Sequence, residues 1–570
     1  MSDEPRWARR FRTPLILPPE WARDAPDRAV YRSTVGGVLE VYAWDRSTGT
    51  HRQVTDRPQG TRSAAVSRDG RWVWWFADTD GDEYGVWMRE PFDGSAPAEP
   101  GFAALGAGYP VGLVPGATVT VVGVSGADGV TVRAGDTVVY SSPRDASVCA
   151  LNADETLLAV EHSENSDSRH RAVRVLDLDG KTVGDISDPH GLSVVDFAPT
   201  DNRLLLTHDR HGKHELLLWE PVTGYEAEVR VDLPGEVSAS WYPDGRSLLL
   251  THSHHARDEL YQLDLNTGAL ARLDTPRGVI DAAAVRPDGD VEYRWTSAEH
   301  GPVVRRLDGT VLLGAHAPDA APLEDHWVAG VHVLLSRPAG EGPYPTIFYL
   351  HGGPDAQDVD RYHPGRSAFV DSGYCVVHVN YRGSHGYGTA WRDALVGNPG
   401  GPELEDTAAV YDWAVAAGIA DPARCVLGGA SWGGYLTLLG LGTQPGLWAA
   451  GLALVPIGDF LTLHADATEM LRDYNLALFG GGPEDRPEVW AAASPITHVE
   501  HVRAPVLITA GDNDPRCSTR QIDNYVRRLA ERGAVHEVYR FDAGHFSVVI
   551  TERIAQAALQ LDFLERHLPR

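Results

Sequence analysis

The chain has 570 residues, of which 43% are apolar and 23% are charged, and its formal net charge is −29. This length exceeds what one hydrophobic core supports, so we expect at least two domains of ordinary globular composition. The acidity argues against nucleic acid and against anionic membrane surfaces as partners.

The first residues of the chain and its cysteines bear on its cellular compartment and on metal or redox chemistry. Residues 1–6 contain no apolar segment of the kind found in a secretory signal peptide. No apolar run approaches the roughly 20 residues that a membrane-spanning helix needs. The four cysteines contain no C-x-x-C pair, so neither a zinc ribbon nor a redox motif is indicated. A cytoplasmic enzyme that uses no metal and no other cofactor is therefore expected.

Residues 30–315 contain a repeat of short apolar runs separated by Asp-Gly and similar turns. Seven glycines, spaced by 45, 41, 45, 44, 44 and 41 residues, mark a second turn in each unit: Gly49, Gly94, Gly135, Gly180, Gly224, Gly268 and Gly309. A period near 44 with several short strands per unit is typical of β-propeller blades. The pattern predicts an all-β, seven-bladed propeller, with the Gly135 unit as the weakest match. Residues 1–29 are expected to pack on the domain formed by residues 325–570.

Histidines cluster twice within this repeat, at residues 208–211 and 252–255. His208 and His252 follow the same Leu-Leu-Leu-Thr run in consecutive units, which places both clusters in hairpin loops. No acidic or cysteine partners fall at regular ligand spacing, so hairpin loops are favoured over a metal site.

From residue 325 to residue 570 the pattern changes to strands that alternate with longer helical segments. Such alternation predicts a parallel sheet flanked by helices. The predicted strands are residues 346–350, 375–379, 425–427, 451–455, 506–509 and 537–541, and residues 403–417 form a predicted helix.

Residues 429–433 read Gly-Ala-Ser-Trp-Gly, a Gly-x-Ser-x-Gly motif between a predicted strand and a predicted helix. Strand, sharp turn and helix are the context of a nucleophile elbow, in which small residues flank the serine and its hydroxyl projects above the sheet. The motif predicts Ser431 as a catalytic nucleophile.

Three further groups follow the ends of predicted strands, where ligands bind in such sheets. Residues 351–354 (His-Gly-Gly-Pro) could bring the backbone N–H of Gly352 to a substrate oxygen, with the N–H of Trp432 as the second oxyanion donor. Asp512 and Asp514 are both candidates for the acid, and His545 is the candidate base. His498, His501 and His536 lie before or inside predicted elements, where structural roles are expected. The order Ser, Asp, His predicts an α/β-hydrolase domain.

The whole chain resembles the prolyl oligopeptidase family of serine peptidases, especially its acylaminoacyl-peptidase and dipeptidyl-peptidase-like branches. The motifs that carry the resemblance are residues 351–354, 380–384 with 386–388, 429–434, 512–516 and 544–545. The resemblance implies that Asp514, two residues before Arg516, is the acid, and that Arg516 holds a substrate backbone carbonyl.

Two features depart from parts of this family. Gly352 stands where some members carry an oxyanion-hole tyrosine, so a backbone N–H must serve instead. No convincing glutamate pair for a free substrate N-terminus is found, because Glu161 and Glu164 read more simply as a solvated hairpin. Dipeptidyl release is therefore not favoured.

By similarity, residues 455–469 should line the primary specificity pocket. The pocket would offer Ile457, Phe460 and Leu463, together with Trp432 and Cys517, although the same residues could be ordinary core. An apolar pocket of this kind would prefer apolar substrate side chains.

We expect a serine peptidase of short peptides or of N-acylated amino acids and peptides. An amide or ester hydrolase of a small acylated metabolite would carry identical motifs, and a propeller scaffold with an inactive hydrolase domain is the alternative from another class. The sequence leaves the oligomeric state open, with a homo-oligomer as one option.

Overall fold

The computed structural model describes residues 4–102, 105–314, 317 and 320–569. The chain divides into two compact units, one formed by residues 14–295 and 302–315 and the other by residues 1–13, 296–301 and 316–570. No helix among the described residues combines the length and the apolar character needed to cross a membrane.

The first unit consists of seven four-stranded sheets, and in each sheet the strands pair in the order in which they follow along the chain. The strands are β1 Glu20–Trp21, β2 Arg28–Ser33, β3 Glu40–Asp45, β4 Thr50–Gln53, β5 Ala64–Val66, β6 Trp72–Asp78, β7 Gly85–Pro91, β8 Glu99–Pro100, β9 Tyr109–Pro115, β10 Thr120–Gly126, β11 Gly129–Ala134, β12 Thr137–Ser142, β13 Ala146–Leu151, β14 Leu157–His162, β15 Ala172–Asp177, β16 Thr182–Ile186, β17 Leu192–Phe197, β18 Leu204–His208, β19 Glu215–Glu220, β20 Tyr225–Val229, β21 Glu236–Trp241, β22 Ser247–His254, β23 Arg257–Asp264, β24 Leu270–Leu273, β25 Val279–Val285, β26 Val291–Thr296, β27 Val303–Arg306 and β28 Val311–Leu313. The predicted seven-bladed propeller is confirmed.

All seven marker glycines lie in the turn between the third and fourth strands of a blade, and each has a positive φ. Glycine adopts this conformation without the steric cost that a side chain brings. The Gly135 unit, the weakest match in sequence, forms the third blade with the same turn, at φ 55°.

The ring closes by packing of the first blade against the seventh. Tyr31 and Trp44 of the first blade share a buried cluster with Val304 and Leu313 of the seventh. A guanidinium nitrogen of Arg46 also lies 2.8 Å from a Glu292 carboxylate oxygen. Each blade therefore buries its faces against its neighbours, as the repeat requires.

The second unit contains an eight-stranded sheet with the strand order β29-β30-β32-β31-β33-β34-β35-β36. Its strands are β29 Glu324–Val328, β30 Val331–Ser336, β31 Tyr344–Leu350, β32 Cys375–Asn380, β33 Ala420–Ala430, β34 Ala450–Leu454, β35 Val506–Gly511 and β36 His536–Phe541. Strands β29 and β30 pair antiparallel, β30 pairs antiparallel with β32, and the remaining pairs are parallel. This is the predicted α/β-hydrolase sheet, extended by two strands that were not predicted.

Helices cover this sheet. They are α1 Arg6–Arg9, α2 Pro364–Asp371, α3 Thr389–Arg392, α4 Gly401–Ala416, α5 Trp432–Thr443, α6 Phe460–Asp466, α7 Glu469–Phe479, α8 Pro487–Ala493, α9 Thr519–Arg532 and α10 Ile550–His567, with 3-10 turns at Arg10–Arg12, Asp393–Leu395 and Pro495–His501. The largest buried apolar cluster joins β30–β35 to α4 and α5. It holds α5, and therefore the serine before it, firmly on the sheet.

The predicted N-terminal segment, residues 1–29, is divided between the two compact units. Residues 14–29 belong to the propeller unit, because Glu20 and Trp21 pair with Val30 and Ala29 in the first blade. Residues 4–13 group with the hydrolase unit, where Arg10 lies 2.9 Å from the Asp371 carboxylate. The predicted limits at residues 1, 315 and 570 lie outside the described residues.

Candidate active site

Ser431 occupies a tight turn between β33, which ends at Ala430, and α5, which begins at Trp432. Its backbone has φ 58° and ψ −116°, a strained conformation for a residue with a side chain. Side chains at Gly429 and Gly433 would meet the Leu350 carbonyl oxygen at 2.5 and 2.0 Å. The turn therefore requires glycine on both sides of the serine, which is the geometry that the motif predicts.

Asp514 and His545 form a buried pair at the carboxyl ends of β35 and β36. The Nδ1 atom of His545 lies 2.7 Å from Oδ2 of Asp514. The other carboxylate oxygen of Asp514 accepts the backbone N–H groups of Arg516 and Cys517 at 2.8 and 2.9 Å. These three contacts fix the carboxylate, and the carboxylate orients the imidazole so that its Nε2 lone pair is free to take a proton.

Asp512, the second candidate acid, lies elsewhere on the same loop. Its side chain is 48% exposed, and its carboxylate lies 3.4 Å from an Arg540 guanidinium nitrogen. Of the two acids that the motif offers, the structure brings Asp514 to His545.

Two of the other candidate histidines contact backbone carbonyl groups, and the third is exposed. Nε2 of His498 lies 2.9 Å from the Ala492 carbonyl oxygen, and Nδ1 of His536 lies 2.8 Å from the Ala534 carbonyl oxygen. His501 is exposed at the end of the 3-10 turn Pro495–His501.

The backbone of Gly352 lies directly beside the nucleophile. A Cβ atom at Gly352 would be 3.3 Å from Cβ of Ser431 and 3.8 Å from the backbone nitrogen of Trp432. Trp432 is the first residue of α5, so its N–H has no partner within the helix. The backbones of both residues predicted to form the oxyanion hole are therefore close to the serine.

A buried network holds the loop that carries Gly352. Nε2 of His351 lies 2.8 Å from the Ser384 hydroxyl, and the Tyr381 hydroxyl donates to the His351 carbonyl at 2.8 Å. The His351 and Tyr381 rings also stack, with centroids 4.2 Å apart. Residues 380–384 match a family motif, but only the structure shows that Tyr381 and Ser384 position the loop at residues 351–354.

Trp432 and the other predicted apolar specificity residues are all buried. Ile457, Phe460, Leu463 and Cys517 belong to the same apolar cluster as that tryptophan. Burial raises the pKa of the Cys517 thiol well above its usual value, so this group is a protonated, apolar neighbour of the serine. Arg516 is exposed on the same loop. That these residues contact substrate stays a prediction.

Glu403 lies beneath the site and had no role in the sequence-based prediction. It is fully buried near the start of α4, where its carboxyl group accepts the Gly400 backbone N–H at 2.9 Å and the Trp432 indole N–H at 3.3 Å. Burial raises the pKa of Glu403 to about 8. The sequence does contain a signal for a capping role of Glu403. It follows Gly-Gly-Pro at the start of a predicted helix, and an acid at the third helical position caps the helix.

A nucleophile elbow and a buried acid–histidine pair at the carboxyl ends of a mostly parallel sheet define a serine hydrolase of the α/β type. Residues 362–570 match the model of the prolyl oligopeptidase family. The resemblance seen in the sequence is confirmed.

Two curated relatives align with parts of the chain. Dipeptidyl aminopeptidase BIII of Pseudoxanthomonas mexicana is 27% identical over 405 residues, which are 65% of this chain and 55% of that protein. The acylamino-acid-releasing enzyme of Arabidopsis thaliana is 30% identical over 222 residues, which are 38% of this chain and 29% of that protein. The chain thus spans about half the length of the first relative and less than a third of the second.

A solved structure shares the fold over nearly the whole chain. It is a puromycin-hydrolysing peptidase of Mycobacterium tuberculosis, with a TM-score of 0.83 and 19% sequence identity, covering 98% of this chain and 95% of that chain. At 19% identity, this match shows a shared fold and nothing beyond the fold.

Proposed function

We propose that this protein is a serine peptidase that hydrolyses short peptides or N-acylated amino acids and peptides through an acyl-enzyme on Ser431. The Ser431 hydroxyl attacks the scissile carbonyl carbon while Nε2 of His545 takes its proton. His545 then returns the proton to the leaving amine as the C–N bond breaks. Water hydrolyses the ester by the reverse of the same proton transfers, which releases the acid and restores the serine.

Asp514 would stabilise the imidazolium that forms in both steps, since its carboxylate lies on Nδ1 of His545 at 2.7 Å. The backbone N–H groups of Gly352 and Trp432 would stabilise the tetrahedral oxyanion. Arg516 would hold a substrate backbone carbonyl. Ile457, Phe460, Leu463 and Cys517 would line an apolar pocket for the side chain on the acyl side of the cleaved bond.

The observation that carries this proposal is the buried pair of Asp514 and His545 in the same sheet edge as the strained Ser431. The three residues come from three loops that only the folded sheet brings to one edge. The family match of residues 362–570 supports peptide bonds as the target.

The test is a peptide library in which every sequence is present with a free and with an acetylated N-terminus. The proposal predicts cleavage after apolar residues, and Ser431→Ala should abolish it. Preference for acetylated members would indicate an acylaminoacyl peptidase, whereas internal cleavage of both forms would indicate an oligopeptidase. Absence of cleavage in the whole library would contradict a peptidase.

A second candidate is hydrolysis of a small acylated amide or ester. It is favoured by the fold similarity to a peptidase whose name records puromycin hydrolysis, over 98% of this chain. Puromycin and simple amino-acid esters in the same assay decide between the two, because the favoured substrate class will have the higher kcat/KM. An inactive scaffold would fail to react with a fluorophosphonate at Ser431.

We further propose that the protein is cytoplasmic and that its partner is a short peptide or small acylated substrate. The net charge of −29 supports a substrate other than nucleic acid. A cytoplasmic location is tested by cell fractionation, where recovery with the envelope or the medium would contradict it.

A further inference from the structure

A cavity of about 170 Å³ lies in the hydrolase unit between the sheet and the helices α2 and α10. None of the groups in the proposed mechanism lines it. Its apolar wall includes the aromatic side chains of Phe11, Phe369, Phe541 and Phe546. An apolar cavity of about 150 Å³ engineered into another protein accommodates benzene, so this volume is sufficient for one aromatic ring.

Two arginines line the same cavity. Arg366 on α2 is buried and donates from Nη2 to the Arg361 carbonyl oxygen at 2.7 Å, and Arg553 on α10 stacks its guanidinium 5.6 Å from the centre of the Phe11 ring. Within the part of the chain that the structure describes, neither guanidinium has a carboxylate oxygen within 4.0 Å. Both arginines therefore line the cavity without a direct counter-ion.

Burial lowers the pKa of Arg366 to about 10 and also lowers the pKa of Arg553. Both groups still carry their charge at neutral pH. Asp358 and Asp360 attract Arg366 from a distance, but neither acid lines the cavity. A buried charge without a partner is costly in a folded protein, and an anion would remove that cost.

His363 adds a third donor to the wall. Its Nδ1 accepts the Arg366 backbone N–H at 3.0 Å, and burial lowers the pKa of its ring to about 3. The ring is therefore neutral, and its proton is on Nε2, which can donate but not accept. His378 also lines the cavity, and its Nε2 is buried without a hydrogen-bond partner among the described residues.

We propose that this cavity binds a small monocarboxylate with an aromatic body. The carboxylate would accept hydrogen bonds from Arg366, Arg553 and the His363 ring, and the ring of the ligand would pack on the phenylalanines. This inference does not depend on the proposed function, because none of the predicted catalytic residues lines the cavity and only Val455 of the predicted specificity segment does.

Isothermal titration calorimetry with benzoate at constant ionic strength tests the inference, with benzamide as the uncharged ligand of the same shape. We expect saturation at one benzoate per chain. Benzamide should bind at least about tenfold more weakly, because it cannot form the charge-assisted hydrogen bonds that a carboxylate forms with arginine. Equal affinity for the two ligands, or no saturable binding of benzoate, would overturn the proposal without any mutant.

Variants locate the site. Arg553→Gln should weaken benzoate binding at least about tenfold, whereas Arg566→Gln, on the same helix but outside the cavity, should change it by less than about twofold. Ala557→Leu should also weaken binding, because Ala557 lines the cavity and the larger side chain fills it. Unchanged affinity in Arg553→Gln would overturn the proposal.

A crystal soaked with 3-bromobenzoate provides a check that needs no variant. The anomalous signal of bromine is expected between α2 and α10. A signal only beside Ser431 would show that benzoate occupies the substrate site, and would overturn the assignment.

Discussion

Both units place histidines beside carboxylates, but they do so with different geometry. In the propeller, Nδ1 of His211 lies 2.6 Å from Glu215, four residues further along the chain, and the histidine side chain is 49% exposed. In the hydrolase unit, His545 and Asp514 come from two loops that are 31 residues apart, and their side chains are 5% and 1% exposed.

Neighbours in one polar hairpin meet without help from the rest of the fold, and an exposed pair contributes little. A buried pair from separate loops requires the whole sheet to hold it and is a stronger indication of chemistry. His208 supports this distinction, because its Nδ1 accepts the Arg210 backbone N–H at 3.2 Å. The proton is then on Nε2, which leaves no lone pair for a metal.

Among the substitutions that test the hydrolase unit, Ser431→Ala should have the largest effect on activity. Loss of the nucleophile should lower kcat by about 10⁴-fold or more, with little change in the thermal unfolding midpoint, because the hydroxyl contributes chemistry rather than core volume. Ser518→Ala, on the partly exposed loop before α9, is the matched control and should keep its rate within about twofold. A near-native rate in Ser431→Ala would refute the serine mechanism.

Asp514→Asn and Asp512→Asn compare the two acids on one loop. Asp514→Asn should lower kcat by about 10³- to 10⁴-fold, because the carboxylate on His545 is lost. Asp512→Asn should change kcat by less than about threefold, since that side chain is largely exposed. Steady-state kinetics of both variants gives the ranking, and the reverse order would show that the acid is misassigned.

The proposed apolar pocket predicts substrate preference. Substrates with Phe, Leu, Met or Ala on the acyl side should exceed those with Lys, Arg, Asp or Glu by about 100-fold in kcat/KM, because an unpaired charge is costly to bury. Leu463→Glu should shift the preference toward Lys, whereas Leu461→Glu, at a position that is 52% exposed, should not. Equal kcat/KM for Phe and Lys substrates would place the pocket elsewhere.

Glu403 predicts a pH-dependent stability. Its pKa is about 8 in the folded protein against a usual value of 4.5, so the folded state binds this proton more tightly than the unfolded chain. The resulting stability is present below pH 4.5 and is lost as the pH rises toward about 8.

Urea unfolding of wild type and Glu403→Gln from pH 4.5 to pH 9 measures this effect. The variant should gain stability relative to wild type as the pH rises, by at most about 1.4 kcal/mol per pH unit. A difference between the two proteins that does not change with pH would contradict an ionisable Glu403 in that range.

The smallest expected effect is in the propeller. His211→Ala and treatment with a metal chelator should each leave activity within about twofold and leave the unfolding midpoint nearly unchanged, because the cluster is a polar hairpin. Loss of activity on chelation, restored by zinc, would show that the cluster at His208, His211 and Glu215 holds a metal.

The propeller could be predicted in detail because each blade is built from sequence neighbours. The turns at Gly49 and Gly309 need a positive φ wherever the blade lies in the ring, so the repeat is visible in the sequence alone. The predicted start of the propeller at residue 30 came too late in the chain, because Glu20 and Trp21 form a two-residue strand that periodicity cannot detect.

The site could be predicted only where a motif fixes local geometry. Ser431 follows from its flanking glycines, whereas the choice between Asp512 and Asp514 depends on which carboxylate reaches a loop far along the chain. Tyr381 and Glu403 were assigned no role because their contacts, with His351 and Trp432, come from tertiary packing. Arg366 and Arg553 likewise line one cavity only in the folded unit.

The central claim is that Ser431 is a nucleophile activated by His545. Mass spectrometry of the protein after reaction with a fluorophosphonate, followed by peptide mapping, tests it most directly. The account predicts one adduct per chain on Ser431, none in Ser431→Ala, and much slower labelling in His545→Ala. An adduct on another residue, or undiminished labelling of Ser431→Ala, would contradict it.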